Sequence, residues 1–153
     1  MKKIKLTRGK YATVDDANYK ELSKYEWWFD GNYACREIRK DGRKKKIYMH
    51  RQIMEFPEKQ VDHINRDKLD NRRENLRLCK PEQQVFNITK RKNNTSGYKG
   101  VIWVEKRKKW RACLYFNKKC MLSKQFTRKE DAAIAYNEVA KKYFGEFAYL
   151  NQI

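Results

Sequence analysis

The stretch from Val61 to Leu78 decides the fold, because three short polar motifs follow one another there. They read Val61-Asp62-His63-Ile64-Asn65, Asp70-Asn71-Arg72 and Asn75-Leu76-Arg77-Leu78. The pattern predicts a strand ending near His63, a polar loop and a short strand at Leu76–Leu78. Proline with an acidic neighbour is typical of a first helical turn, so Pro81 and Glu82 predict the start of a helix.

The pair Asp62 and His63 carries the chemistry that this stretch suggests. A neutral imidazole accepts a proton near neutral pH, so His63 is a candidate general base. A carboxylate together with an amide carbonyl offers the oxygen ligands that Mg²⁺ or Mn²⁺ prefers. Neighbouring side chains of a regular strand point to opposite faces, so the loop must curve if both residues are to reach one phosphate.

The three motifs, preceded by His50-Arg51, resemble the HNH nucleases, specifically the homing endonucleases of phages and introns. The resemblance implies a ββα-metal fold in which His63 is the base, Asp62 is the first metal ligand and Asn75 orients the His63 ring. It also implies a helical Asn that closes the metal site. This chain has Gln84 at that place, and Asn87 lies on nearly the same helical face, so either residue remains a candidate ligand.

Two further polar residues near the motifs are expected to be structural. We expect His50 to form a hydrogen bond at the start of a helix. We expect Asn71 to brace the loop rather than to bind metal.

The first 50 residues predict a small β-rich region. The sequence Lys40-Asp41-Gly42 predicts a hairpin turn, and Asp16 to Tyr25 predicts a short helix. The predicted strands are Ile4–Leu6, Tyr11–Val14, Trp27–Phe29, Tyr33–Arg39 and Lys45–Met49.

The charge balance points to a polyanionic partner. The 153 residues contain 38 Lys and Arg against 19 Asp and Glu, a formal charge of +19. Residues 1–90 carry 23 basic and 14 acidic groups (+9), and residues 91–153 carry 15 and 5 (+10). Such an excess favours nucleic acid as the partner, and we expect no membrane association and no small-molecule substrate.

The last third of the chain predicts a second module. Thr89 to Gly97 is basic, polar and ends in glycine, which is typical of a linker. Thr127-Arg-Lys-Glu130 predicts a capping box for a helix that stops at Gly145. Three strands are predicted before that helix, at Lys99–Val104, Trp110–Phe116 and Cys120–Gln125.

This module resembles the ethylene-response-factor (Apetala-two) DNA-binding domain of plants. The motifs that carry the resemblance are Ser96-Gly-Tyr98-Lys-Gly100-Val101, Lys109-Trp110-Arg111-Ala112, Ala132-Ala133 with Ala135-Tyr136, and Phe144-Gly145-Glu146-Phe147. The resemblance implies a three-stranded sheet that enters the major groove, with the helix packed behind it.

Alternation along the middle strand assigns its side chains to two faces. Trp110, Ala112, Leu114 and Phe116 are assigned to the helix, and Arg111, Cys113 and Tyr115 to DNA. Trp103 either stacks or packs. The predicted DNA-binding set is Arg91, Lys92, Lys99, Ile102, Trp103, Lys106, Arg107, Lys108, Lys109, Arg111, Cys113 and Tyr115.

Together these patterns predict an α+β protein with two domains. Residues 1–90 would hold the β-rich region and the nuclease fold, and residues 91–153 the linker and a three-stranded antiparallel sheet packed on one helix. We expect a metal-dependent endonuclease that cuts double-stranded DNA with Mg²⁺ or Mn²⁺, as a monomer or weak dimer in the cytoplasm or nucleoid. The alternatives are a non-catalytic DNA-binding regulator and, less favoured, an RNA-binding protein.

Overall fold

A computed structural model describes all 153 residues, and it shows a mixed α/β protein with four small antiparallel sheets. The chain forms two compact units, residues 1–81 and residues 82–153. No helix is both long and apolar enough to cross a membrane.

The first unit begins with a hairpin and a short helix. Strands β1 (Lys2–Lys5) and β2 (Tyr11–Val14) pair antiparallel, and helix α1 covers Asp16–Leu22. Alternate residues of the hairpin point inward, so Ile4, Ala12 and Val14 are buried with Leu22 and Met49 in one apolar cluster. The predicted helix, Asp16 to Tyr25, is three residues too long, because α1 ends at Leu22 and Ser23 is its C-cap.

A second sheet follows, made of β3 (Trp28–Phe29), β4 (Ala34–Lys40) and β5 (Arg43–Tyr48). The predicted hairpin turn is confirmed: Asp41 and Gly42 have φ of 52° and 72°, the conformation of a two-residue turn between paired strands. Helix α2 (Met49–Ile53) begins directly after β5.

The decisive stretch forms a hairpin of β6 (Gln60–His63) and β7 (Leu76–Cys79). A loop joins the two strands and ends in a 3-10 turn at Arg73–Asn75. This loop is tied to the N-terminal hairpin, because the Thr13 NH donates to Leu69 O and the Asn71 NH donates to Thr13 O, both at 2.8 Å.

Helix α3 (Pro81–Phe86) begins at the proline that the sequence indicated. Its last residue, Phe86, belongs to the core of the second unit: its ring stacks on Phe144 at 4.0 Å, and its carbonyl accepts from the Tyr149 NH. For this reason the first compact unit ends at Pro81, and the rest of α3 belongs to the second unit. The predicted functional boundary after Lys90 remains a prediction.

The predicted linker is a braced loop rather than a loose connection. Ser96 is buried and its hydroxyl donates to Val101 O at 2.8 Å, while Asn94 accepts from the Gly97 NH at 2.8 Å. These side chains satisfy the backbone groups that a turn leaves unpaired.

The rest of the second unit is a three-stranded sheet packed on one helix. The strands are β8 (Val101–Val104), β9 (Lys109–Phe116) and β10 (Lys119–Phe126), with β9 in the centre. Helix α4 covers Lys129–Phe144. The core between the sheet and α4 consists of Val101, Ala112, Leu114, Leu122, Ala132, Ala133, Tyr136, Ala140 and Phe144.

The ends of α4 confirm one prediction and correct another. Gly145 stops the helix with a positive φ of 54°, as predicted. The predicted capping box is wrong, because the N-cap is Arg128 and no side chain caps the first turn. Glu130 and Asp131 lie in that turn, where carboxylates interact favourably with the helix dipole.

Candidate functional site

Asp62 and His63 lie at the end of β6 and are both buried, with exposed fractions of 7% and 4%. The strand register places Asp62 opposite Arg77 and His63 opposite Leu76. Because adjacent strand residues alternate, the two side chains meet different surroundings, as the sequence predicted.

The Asp62 carboxylate forms a buried ion pair with Arg77. The guanidinium Nη2 and Nε lie 2.8 Å and 3.0 Å from Oδ2, and each side chain is about one-tenth exposed. Burial of a carboxylate is costly unless a partner of opposite charge pairs with it in this way. Arg77 is not among the predicted site residues, although pairing of the two predicted strands places it opposite Asp62.

The His63 ring is held by Asn71 rather than by Asn75. Its Nε2 lies 3.3 Å from Asn71 Oδ1, and Asn71 is fully buried. The Asn71 amide nitrogen donates to Leu69 O at 3.2 Å, which fixes the oxygen toward His63. Nε2 of a neutral His63 is therefore the protonated nitrogen, and the lone pair is on Nδ1.

Asn75 has a different set of partners. Its amide nitrogen donates to Asn65 Oδ1 at 3.0 Å and to Asp70 O at 2.8 Å, and its oxygen accepts from the Asn65 NH at 2.9 Å. Asn75 thus fixes the two sides of the loop, while the expected loop brace, Asn71, is the residue that contacts His63. A role for Asn75 in orienting the base remains a prediction.

Further polar contacts make this loop rigid. Asp70 accepts from Arg72 Nε and Nη2 at 2.8 Å and 2.7 Å, and from the Asn65 amide at 2.8 Å. The hydrogen bonds from Arg72 hold the pKa of Asp70 below its usual value, although burial acts in the opposite direction. The loop that supports Asn71 is therefore crosslinked by charged hydrogen bonds.

His50 packs in an aromatic cluster beside His63. The ring centroids of the two histidines are 5.2 Å apart, and those of His50 and Tyr33 are 5.0 Å apart. The expected hydrogen bond at the helix start is absent, because α2 has no side-chain cap and the buried Nδ1 of His50 has no partner. The His50 imidazole packs instead against the rings of Tyr33, Tyr48 and His63.

Burial sets the protonation of both histidines. Burial first, and then the neighbouring His63, lowers the pKa of His50 to about 3. Burial also lowers the pKa of His63, although the Asn71 contact and the nearby Asp62 act in the opposite direction. Both rings are therefore neutral near pH 7, which leaves His63 able to accept a proton.

This burial predicts a loss of stability in mild acid. The folded-state pKa of His50 lies below the ordinary 6.5, so the unfolded chain binds the proton more readily and stability falls as the pH drops below 6.5. The expected slope is about 1.4 kcal/mol per pH unit for each such group. Urea unfolding between pH 7 and pH 5 measures this slope, because most carboxylates stay ionised over that range.

The control for this prediction is His50→Gln, which removes one titrating group. Its unfolding free energy should depend less steeply on pH than that of the unaltered chain. Equal slopes in the two proteins would contradict the assignment of acid sensitivity to His50.

The expected metal donors divide between the two compact units. Asp62 lies in the first, and Gln84 and the buried Asn87 lie in the second. No group of three or more His, Cys, Asp or Glu side chains could hold an ion by itself. A carboxylate and an amide oxygen are donor types that Mg²⁺ and Mn²⁺ bind, together with water and phosphate oxygens.

The sheet of the second unit has the two faces that alternation predicted. Ala112 and Leu114 are buried against α4, with Trp110 and Phe116 packed beside them. Along β9, Arg111, Cys113 and Tyr115 alternate with those residues, and Ile102 lies opposite Arg111 in the strand register. Tyr115 is 66% exposed.

Trp103 belongs to the other side of the sheet. It pairs with Trp110, and their ring centroids are 5.0 Å apart. Since Trp110 packs toward α4, Trp103 does not lie on the face of Arg111 and Cys113, and the structure favours packing over stacking on a base.

The predicted phosphate-binding side chains differ in their surroundings. Lys99 Nζ donates to Phe86 O and Ile88 O at 2.8 Å and 2.7 Å, so its ammonium also holds the segment that follows α3. Lys108 pairs with Glu105. Arg91, Lys92, Lys106, Arg107 and Lys109 are exposed.

Comparisons with known proteins show which family the chain resembles. A family model described as HNH endonuclease matches residues 48–85. An uncharacterized HNH endonuclease of Acanthamoeba polyphaga mimivirus is 32% identical over 149 residues, which cover 95% of this chain and 77% of that protein. Protein 3.8 of Escherichia phage T7 is 41% identical over 51 residues, or 33% of this chain and 42% of that protein.

No solved structure matches the chain. The mimivirus relative extends over nearly the whole sequence, including the N-terminal hairpin that anchors Asn71 and the sheet of the second unit. The chain belongs to the HNH endonuclease family.

Proposed function

We propose that this chain is a metal-dependent endonuclease of homing type that hydrolyses phosphodiester bonds of double-stranded DNA. The observation that carries the proposal is the His63 ring, which is buried and contacts Asn71, and which follows the buried Asp62 directly in the strand. A positioned general base and an oxygen ligand for a divalent ion are two components of metal-assisted phosphodiester hydrolysis.

In the proposed reaction, Nδ1 of His63 accepts a proton from the attacking water. The water oxygen forms a bond to phosphorus, and the bond to the leaving oxygen breaks. Asn71 keeps the proton on Nε2, so the basic nitrogen stays the same one throughout. Arg77 forms an ion pair with Asp62.

Asp62, with Gln84 or Asn87, would hold the divalent ion in a ββα-metal arrangement. The ion would neutralise the charge that develops on the phosphate and on the leaving oxygen. Gln84 offers the same carbonyl as asparagine on a side chain longer by one methylene, so its reach differs by about one bond length.

The second unit is proposed to bind the DNA. Nε of Arg111 is buried and has no hydrogen-bond partner, and such a donor is costly unless an acceptor reaches it. Arg111 lies on the sheet face that the resemblance assigns to the major groove, where phosphates and base edges offer acceptors.

A groove beside that face supports the same proposal. It has a volume of about 660 Å³, and its lining includes Ile102 and Cys113 as well as three basic residues, Lys90, Arg91 and Lys99. No acidic residue lines the groove. A cationic groove that continues a sheet face is suited to following a phosphate backbone.

Plasmid cleavage tests the proposal. Supercoiled plasmid should be nicked or linearised with Mg²⁺ or Mn²⁺ and remain intact in EDTA. One active site cuts one strand at a time, so linear product requires two protomers or two successive nicks. Intact plasmid under all metal and salt conditions, with DNA binding retained, would contradict the enzymatic proposal.

The second candidate function is a DNA-binding regulator that has lost catalysis, and Gln84 is the observation that favours it. Gln84→Asn restores the residue that the family pattern has at this position. Cleavage by both proteins, together with its loss in His63→Ala, supports the nuclease. Cleavage by the Gln84→Asn protein alone supports the regulator.

A further inference from the structure

The turn between β3 and β4 brings residues from outside the family match to the His63 site. The Tyr33 ring lies 6.0 Å from the His63 ring and 5.0 Å from the His50 ring, measured between centroids. Burial, followed by the charges of Asp30 and Asp62, raises the pKa of Tyr33. The family match begins at residue 48, so its pattern does not include this turn.

The turn is held in a fixed shape by Asp30. One carboxylate oxygen accepts from the backbone NH groups of Asn32 and Tyr33, at 3.0 Å and 2.9 Å. The other oxygen accepts from Lys46 at 3.3 Å. A carboxylate that binds its own turn in this way restricts the conformations of the next residues.

Lys68 is placed against this turn from the loop that also carries Asn71. Its ammonium donates to Asn32 Oδ1 at 2.8 Å and lies 4.8 Å from the centroid of the Tyr33 ring. Both partners are neutral. The ammonium is thus held in position by an amide oxygen and an aromatic face, and neither cancels its charge.

Other lysines of the first unit contrast with Lys68. Lys24, Lys44 and Lys46 each form an ion pair with a carboxylate. Such pairs leave little net charge for an external anion. An ammonium fixed by neutral groups keeps both its charge and its remaining N–H donors for an acceptor.

We propose that Lys68, held by Asn32 and Tyr33, is a binding point for a DNA phosphate beside the linkage that is hydrolysed at the His63 site. The inference rests on the proposed function for the identity of the anion, a phosphate of duplex DNA. It makes the β3–β4 turn a part of the nuclease site, with Asn32 and Tyr33 as positioning residues.

The salt dependence of DNA binding tests this proposal without cleavage. Binding of a fluorescent duplex is measured in EDTA at several salt concentrations for the unaltered chain and for Lys68→Met. Loss of one phosphate contact should reduce the slope of log K against log salt by about 0.9. Lys68→Arg, which keeps the charge, should restore the slope, and an unchanged slope for Lys68→Met would overturn the proposal.

Lys24→Met is the matched control, because it removes one positive charge from a lysine that Glu21 already neutralises. Its slope should equal that of the unaltered chain. An equal reduction in both variants would show a general charge effect and would overturn the assignment of a specific site to Lys68.

A double-mutant cycle tests the part played by Asn32. Asn32→Ala should weaken duplex binding in the unaltered chain and have no effect in Lys68→Met, because the ammonium that it positions is then missing. An equal effect in both backgrounds would overturn the positioning role. These binding measurements do not depend on cleavage. A chain that shows these slopes but leaves plasmid intact would contradict the proposed hydrolysis and still support the Lys68 site.

Discussion

Replacing His63 with alanine is expected to lower the rate of DNA cleavage by about two to four orders of magnitude while duplex binding is retained. The size follows from the usual contribution of a positioned general base. His63 is buried and Asn71 holds its Nε2, so alanine removes a base that the loop has already oriented. Single-turnover cleavage of a labelled duplex measures the rate.

Two controls separate a lost base from a damaged fold. Added imidazole should restore part of the activity of His63→Ala, since it supplies a base of similar pKa to the space left by the ring. Asn71→Ala should slow cleavage by about 10- to 100-fold, the range for residues that orient a functional group. Cleavage by His63→Ala at the rate of the unaltered chain would contradict the mechanism.

The largest loss of stability is expected for Gly100→Ala in the second unit. A Cβ atom there would lie 2.1 Å from Cδ2 of the Tyr136 ring and 2.9 Å from the Cys113 carbonyl oxygen. The residue also has φ of +75°, which strains any side chain. Tyr136 is part of the core between α4 and the sheet, so it has little room to move, and we expect a loss of about 3 kcal/mol or more.

Gly97→Ala is the matched control for the backbone strain. Gly97 has φ of +85°, but a Cβ there would meet nothing within 4 Å. Its loss should be about 1 kcal/mol, from the positive φ alone. Denaturant unfolding followed by tryptophan fluorescence compares the two, because Trp103 and Trp110 lie in this unit, and equal losses would contradict the steric explanation.

Local sequence patterns predict the strands and three of the four α-helices of this chain, and they miss α2, whose first residue they assign to a strand. The Asp41-Gly42 turn, the hairpin around the His63 loop and the two faces of β9 all follow from short-range rules of turn chemistry and alternation. The capping box at Thr127 failed because β10 continues to Phe126 and the N-cap falls one residue later, at Arg128.

The partners of the candidate site were harder to predict because they come from distant parts of the chain. Asn71 and Asn75 are both polar loop residues, and their sequence positions do not tell which one faces His63. Tyr33 reaches the same site through sheet packing, for which the sequence offers no periodic signal. Arg77 is the exception, since strand pairing opposite Asp62 makes its position readable.

The backbone bonds between Thr13 and the Leu69–Asn71 segment have a consequence for which part of the chain is needed to support His63. A fragment that contains only residues 48–85 would include the three polar motifs between Val61 and Leu78. It would lack the β1–β2 hairpin, whose Thr13 forms backbone hydrogen bonds with the loop that carries Asn71. The smallest piece that keeps this support therefore starts upstream of the family match and includes strands β1 and β2.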